Sequence, residues 1–318
     1  MAVLMLAVLA AGFPGYSPAD TPPVNVLVKT APVRSEALGG AGAALDGGPE
    51  MVWANPASAS VGASGWGLAV GGMQGMFGET TRSGVAGYSV WGTDVFAGFS
   101  SYDAGLVTLN ALDGTTRKIS GQRDVMGVVS ESGALGDAGR QGIQVIYMQS
   151  EMLGEFRTTV LAGSCGIRAD VTDTVSAGAV VRNFGPNMRQ VEDVVTLPAV
   201  GSAGIMVRSV LGEEWNAPAD APNQLRLLGD VVCGFASSKV EFLAGAELQL
   251  GGVLIIRGGG SIGEKGRVGR VSAGLGVDLG GQPDRDGVAG VRFQLDYAIK
   301  FMTESFDPPS SFSLSMVF

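Results

Sequence analysis

A chain of 318 residues with 51 glycines, 46% hydrophobic residues and only 16% charged ones departs from an ordinary soluble domain, which carries roughly 25% charge and about 7% glycine. A net charge of −9 and a pI near 4.6 argue against nucleic acid as the main partner, because a phosphate backbone is met by basic surface. No strict three-residue glycine period marks a collagen, β-forming residues are too plentiful for disorder, and no run of about 18 apolar residues follows the N-terminus, so helical membrane spans are not expected.

The chain opens on an apolar run, Met1 to Ala11, followed by turn formers and small residues to Ala19. This reads as a secretory signal peptide over residues 1–19, too short to anchor in a bilayer, with cleavage after Ala11 or Ala19. No Cys follows it, so a lipoprotein is not expected. Residues 20–61 form an N-terminal extended segment: Pro22, Pro23 and Pro32 punctuate its first part, and the rest is rich in Ala and Gly.

Residues 62–318 read as one domain of short alternating segments separated by turns. Strands are expected around 65–73, 85–91, 95–102, 143–149, 158–168, 175–184, 200–210, 225–235, 240–250, 271–279, 291–301 and 311–318, about twelve in all, with region 103–140 holding one or two more. The pattern is clearest late in the chain. Val291, Phe293, Leu295, Tyr297, Ile299 and Phe301 share one face of a strand, and Arg292, Gln294, Asp296, Ala298 and Lys300 the other. The last segment sets Phe312, Leu314, Met316 and Phe318 against Ser311, Ser313 and Ser315. Polar turns stand at Gly280–Gly287, Gly263–Gly266 and Asp307–Pro309, with proline kept out of strand interiors.

Segments of nine to eleven residues suit strands tilted across a bilayer. A soluble sandwich alternates too. The membrane is favoured by alternation along the whole domain and by a polar face of Gly, Ser and charge that can line a lumen. Aromatics near strand ends (Trp66, Trp91, Tyr102, Tyr297, Phe301, Phe318) would form an interfacial girdle. The expected fold is therefore all-β, a transmembrane antiparallel barrel in a bacterial outer membrane, in contact with its lipid. The terminal stripe Phe312, Leu314, Met316 and Phe318 reads as the signal met by the barrel assembly machinery. Repeat folds such as a β-helix or propeller are the lesser reading, since no fixed-period consensus recurs.

Chemistry has little to work with. There is no His, so nucleophilic triads and zinc, haem or copper sites lack their usual members. No cofactor, metal or catalytic residue is assigned, and the acidic loop around Asp284–Asp286 is weak evidence for calcium. Cys165 and Cys233 lie in separate apolar segments. An oxidising compartment permits a disulfide between them, while two small buried hydrophobes is the plainer reading.

Residues 34–57 read Arg-Ser-Glu-Ala-Leu-Gly-Gly-Ala-Gly-Ala-Ala-Leu-Asp-Gly-Gly-Pro-Glu-Met-Val-Trp-Ala-Asn-Pro-Ala. This stretch resembles the opening motif of the PorV/PorQ family of outer-membrane proteins, a family related to FadL-type transporters. The matching positions are Arg34, then Leu38, Gly39, Gly40 and Ala41, the acids Asp46 and Glu50, Trp53, and Asn55-Pro56-Ala57. The chain continues Ser-Ala where the family usually has Gly-Leu. Val181–Gly185 and Leu295–Ala298 add to the likeness. The resemblance implies a monomeric barrel of about fourteen strands with an N-terminal plug or hatch in the lumen. It also implies a non-enzymatic role in handling secreted or surface proteins, with type IX secretion cargo or secretion-system proteins as partners. The alternative it leaves is a FadL-like channel for a hydrophobic small molecule, entering through a lateral opening. In a plug, Arg34, Asp46 and Glu50 would pair with wall charges, for which Glu241, Glu247, Arg292, Asp296 and Lys300 are candidates. A phosphate-binding loop at Gly39–Gly42 lacks the following Lys-Ser/Thr.

Overall fold

In the computed structural model the described residues are 25–62, 65–110, 115–190, 193–211, 223–235, 239–263, 270–280, 291–301 and 308–318. The expected signal peptide, the Asp284–Asp286 loop and most of the three polar turns named above lie outside them.

The strands in chain order are β1 (Trp66–Gln74), β2 (Thr80–Val90), β3 (Thr93–Asp103), β4 (Leu106–Asn110), β5 (Thr116–Ser120), β6 (Gln122–Leu135), β7 (Gly139–Met152), β8 (Phe156–Asp170) and β9 (Val175–Phe184). They continue as β10 (Met188–Gln190), β11 (Asp193–Val195), β12 (Val200–Leu211), β13 (Asn223–Gly234), β14 (Val240–Leu250), β15 (Leu254–Ile262), β16 (Arg270–Gly280), β17 (Arg292–Phe301) and β18 (Ser310–Val317). Fourteen of them close into one antiparallel barrel, while β4–β5 and β10–β11 form separate two-stranded ribbons. The ring closes between β1 and β18, with Val70 opposite Leu314 and Gly67 opposite Val317. The amide of Phe318 donates to the Trp66 carbonyl at 3.0 Å, so the start of β1 and the end of β18 mark one rim. We call it the Phe318 end, and the opposite rim the Gln74 end.

Two barrel strands stand beyond the twelve expected. β6 occupies the second half of region 103–140, whose first half is the β4–β5 ribbon. β15, which carries Gly258, Gly259 and Gly260, was not among the expected strands. Gly259 and Gly260 serve close approach: a Cβ on Gly259 would sit 2.2 Å from the Leu38 carbonyl carbon, and one on Gly39 2.4 Å from the Gly260 nitrogen.

The alternation puts apolar side chains outside. Leu68, Val70, Val95, Phe99, Leu295, Tyr297, Phe312 and Leu314 are exposed, whereas Asp94, Ser100, Asp296, Ser311, Ser313 and Ser315 are buried on the inward face. An exposed apolar wall around a polar interior is how a strand pattern fits lipid outside and a lumen inside. Trp66 and Tyr88 stack outward with ring centroids 4.4 Å apart. One girdle expectation is corrected. Tyr102 shares the inward parity of Phe96 and Ser100 and is buried. Trp91 lies past the end of β2 in a turn, at φ 51°, fully exposed. The two cysteines are free, half-buried and on β8 and β13. With β9 and β12 between those strands, a disulfide between them is ruled out.

Inside the ring lies the N-terminal segment, with short helices at Asn25–Lys29 and Val33–Ala37 and 3-10 turns at Pro49–Trp53 and Pro56–Ser58. Its Leu38, Leu45, Met51, Val52 and Trp53 share one buried core with the inward-facing Phe96, Met126, Ile146 and Met148. The hydrophobic core of the molecule is thus between this segment and the wall.

Candidate functional site: the lumen and the segment within it

A segment without its own sheet or long helix has backbone groups to satisfy, and buried ones rarely stay unpaired. Here wall side chains reach in from around the ring. Asp230 accepts from the amides of Gly42 (2.8 Å) and Ala43 (2.9 Å). Ser272 accepts from the Gly39 amide at 3.0 Å and donates to the Ala37 carbonyl at 3.1 Å. Arg168 donates to Ala44 O, Gln144 to Val52 O and Arg182 to Trp53 O. At the Gln74 end the Val26 amide donates to the fully buried Asp124 at 3.1 Å.

The opening motif has local reasons. Pro32 precedes the helix Val33–Ala37, and Gly39 (φ 74°) and Gly40 (φ 95°) turn the chain sharply after it. A Cβ on Gly39 would lie 2.4 Å from the Gly260 nitrogen, so glycine is needed there for both conformation and space. Asn55 caps the Pro56–Ser58 turn by accepting from Ala57 N (3.1 Å) and donates to Ala43 O (2.7 Å) and Ile167 O (3.2 Å). Leu38, Ala41 and Trp53 are buried in the shared core, and Pro56 packs where a Cβ on Gly142 would meet its carbonyl carbon at 2.3 Å.

The charges gather around Glu247, which is wholly buried. Arg34 grips it with Nε and Nη2, both at 2.7 Å, Arg257 Nε reaches it at 2.7 Å, and Arg226 Nη1 donates as well. Arg257 Nη1 also donates to Asp296 at 2.5 Å. Arg34 completes the link by donating Nη1 to the Asp46 carbonyl at 2.7 Å. The structure thus brings together Arg34 of the segment and Glu247 of the wall. The other expected pairs are redistributed. Lys300 pairs with Glu36 at 2.5 Å, an acid of the segment passed over in the sequence reading. Arg292 pairs with Asp278 across the neighbouring strand, and Asp296 with Arg257. Glu241 lies on the inward face of β14 nearer the Gln74 end. The Asp46 carboxylate reaches Arg168 at 4.0 Å and Arg208 at 3.8 Å. Among the described residues Glu50 pairs with no wall charge: one oxygen accepts from Gly48 N at 3.2 Å, and the other is buried without a partner there. Burial pushes its carboxyl above the ordinary range. Arg140, Arg168, Arg226, Arg257, Asp124 and Asp230 were missed in the sequence reading, although each lies on the inward parity of its strand.

Two further features complete the lumen. At the Gln74 end, Val26, Leu27, Tyr102, Met126, Met148, Val160, Ala162, Met188 and Leu197 belong to one buried apolar cluster. It lies beside a break in the wall. β9 stops at Phe184, opposite Gly163, so Phe156 to Ala162 of β8 have no β9 partner, and the register shifts between Gly163 and Cys165. The chain turns at Asn183 (φ 59°), leaves the wall through β10 and β11, and returns at Val200 opposite Arg182. Asn183 Nδ2 donates to the Leu27 carbonyl at 3.3 Å, tying the break to the segment. At the Phe318 end a cavity of about 340 Å³ is bordered by Gly62, Val317 and Ser315 and lined by arginines. Among the described residues no cluster of three or more metal-ligating side chains occurs.

Solved structures with this architecture include a toluene transporter and a FadL homologue. The toluene transporter TodX of Pseudomonas putida superimposes with a TM-score of 0.52 at 11% identity, covering 95% of this chain and 97% of TodX. A TodX deletion mutant, a monoaromatic hydrocarbon channel, gives 0.53 at 12%, covering 89% and 96%. A FadL homologue from Pseudomonas aeruginosa gives 0.51 at 10%, covering 90% and 98%. The fold is that of FadL-type outer-membrane barrels. No family model and no curated protein matches the sequence.

Proposed function

We propose that this chain is a non-enzymatic outer-membrane channel for hydrophobic small molecules, acting in the FadL manner. The observation that carries the reading is the wall break at Phe184. An apolar cluster inside a polar lumen would serve no water-filled pore, but beside a gap in the wall it offers a hydrophobic solute a short route between lumen and bilayer. Met188, Leu197 and Leu27 close that route from within. TodX, a toluene transporter of the same fold, supports the same substrate class. The protein-handling role implied by the PorV/PorQ-like motif has only that motif in its favour, since Gly39, Gly40 and Asn55 are accounted for by packing and capping.

The test is initial uptake of radiolabelled toluene by cells carrying or lacking the protein. Slower uptake on deletion, restored by wild type but not by Leu27→Asp or Leu197→Asp, is expected. Unchanged uptake with loss of a set of secreted proteins would instead support the protein-handling role.

A further inference from the structure

The cavity at the Phe318 end is separate from the apolar route, and its chemistry is different. Arg34, Arg140, Arg168, Arg226 and Arg292 line it, against a single acid, Asp46. Their other carboxylate partners do not line it: Asp94 holds Arg140 at 2.9 Å, Asp170 holds Arg168 at 2.9 Å, Asp278 holds Arg292 through Nε and Nη2, and Glu247 is shared by Arg34, Arg226 and Arg257. Glu247 and Asp296 together meet Arg34, Arg226 and Arg257, two carboxylates for three guanidinium groups, and the arginines line the open space while these two acids do not. The Nε atoms of Arg140 and Arg226 are buried and have no acceptor among the described residues. Asp46 registers the same field: burial alone would raise its carboxyl, yet Arg34, Arg168, Arg226 and Arg208 together hold it below the ordinary value. The volume, about 340 Å³, is at the low end of the roughly 300–1,000 Å³ usual for small-ligand sites. The arginine fork fits planar, two-oxygen anions better than point charges.

We propose that this cavity is a binding site for a small oxyanion, a carboxylate or a phosphate, held by the guanidinium groups of Arg140, Arg226 and Arg292. The assignment does not depend on the solute-channel reading, because neither the ligand nor the residues are shared with the apolar route.

Calorimetric titration of the full chain in detergent, with sodium benzoate, inorganic phosphate and neutral toluene as separate probes, tests it. One saturable anion site is expected. Arg292→Gln and Arg140→Gln should each weaken it about tenfold or more, the loss of one charge-assisted bond. Asp46→Asn should tighten it, a change in a direction that misfolding does not mimic. Tighter binding of phosphate than of benzoate would assign a phosphate ligand, and the reverse a carboxylate. No saturable binding of either anion at low ionic strength would overturn the proposal. So would affinities that stay unchanged in both Arg292→Gln and Asp46→Asn, or displacement of the anion by toluene.

Discussion

Replacing Glu247 by Gln tests what holds the segment in the lumen. The change keeps the side chain's shape but removes the charge that three arginines share, in a position with no solvent exposure. Removing one partner of a buried ion pair costs about 3–5 kcal/mol, because the remaining charges are left uncompensated. Only part of that loss acts on the segment, since Arg226 and Arg257 belong to the wall. The segment's share is the two-pronged Arg34 contact. Hydrogen bonds to charged groups contribute about 1.5–3 kcal/mol, so release of the segment should become about tenfold to a hundredfold easier, at 1.4 kcal/mol per factor of ten. The readout is labelling by a water-soluble maleimide of Ser35→Cys, a buried position in the segment, in a background with Cys165 and Cys233 changed to Ser. Labelling should speed up by that factor in Glu247→Gln and equally in Arg34→Gln. The double variant should add little, because both remove the same contact. Raising salt should change little, since buried pairs are poorly screened. Wild-type labelling in Glu247→Gln, or full additivity in the double variant, would refute the reasoning.

Gly259→Val should destabilise the barrel by about 1–3 kcal/mol, the usual cost of overpacking, because even a Cβ there meets the Leu38 carbonyl. A lower temperature for loss of the folded band on heated gels checks it. Glu50→Gln should stabilise the protein at neutral pH. A carboxyl whose folded value is raised favours folding below its ordinary titration near pH 4 and loses that contribution as pH rises through the folded value. The melting-temperature gap between variant and wild type should therefore shrink toward acid, and a gap independent of pH would contradict this. Deleting Phe318 removes the amide that bonds Trp66 and the last residue of the outward stripe. Membrane levels should fall while anion and solute selectivity of the residual protein stay unchanged, as measured by immunoblot and by the assays above.

Much of the wall was legible because a period of two leaves no freedom: once Leu295 faces out, Asp296 must face in. β6 falls in region 103–140, where one or two strands were expected, whereas β15 was not expected. In β15, Gly259 and Gly260 stand where Leu38 and Gly39 come close, a demand set by a segment more than 200 residues away in sequence. Tyr102 failed as a girdle residue because position near a strand end was weighed above its parity with Ser100. For the charges, parity tells which side chains enter the lumen but not how far around the ring they reach. Arg34 and Glu247 could be named, whereas Lys300–Glu36 and Arg257–Asp296 depend on where the segment's helices sit against β15 to β18. The wall break at Phe184 left no sequence signal beyond Asn183-Phe184-Gly185, which read as the end of an ordinary strand.

The position of the N-terminal segment constrains the order of assembly. Its residues bond Asp124 and Gln144 in the first half of the chain and Asp230, Glu247, Ser272 and Lys300 in the second. The ring that encloses them is sealed by β1 meeting β18, its first and last strands in chain order. Contacts so distant along the chain form late in folding. The segment must already lie among the incoming strands when the seam forms, or be drawn in afterwards along the barrel axis past the arginines of the Phe318 end. Either way, the segment's bonds are completed only as strands from both halves of the ring come together around it.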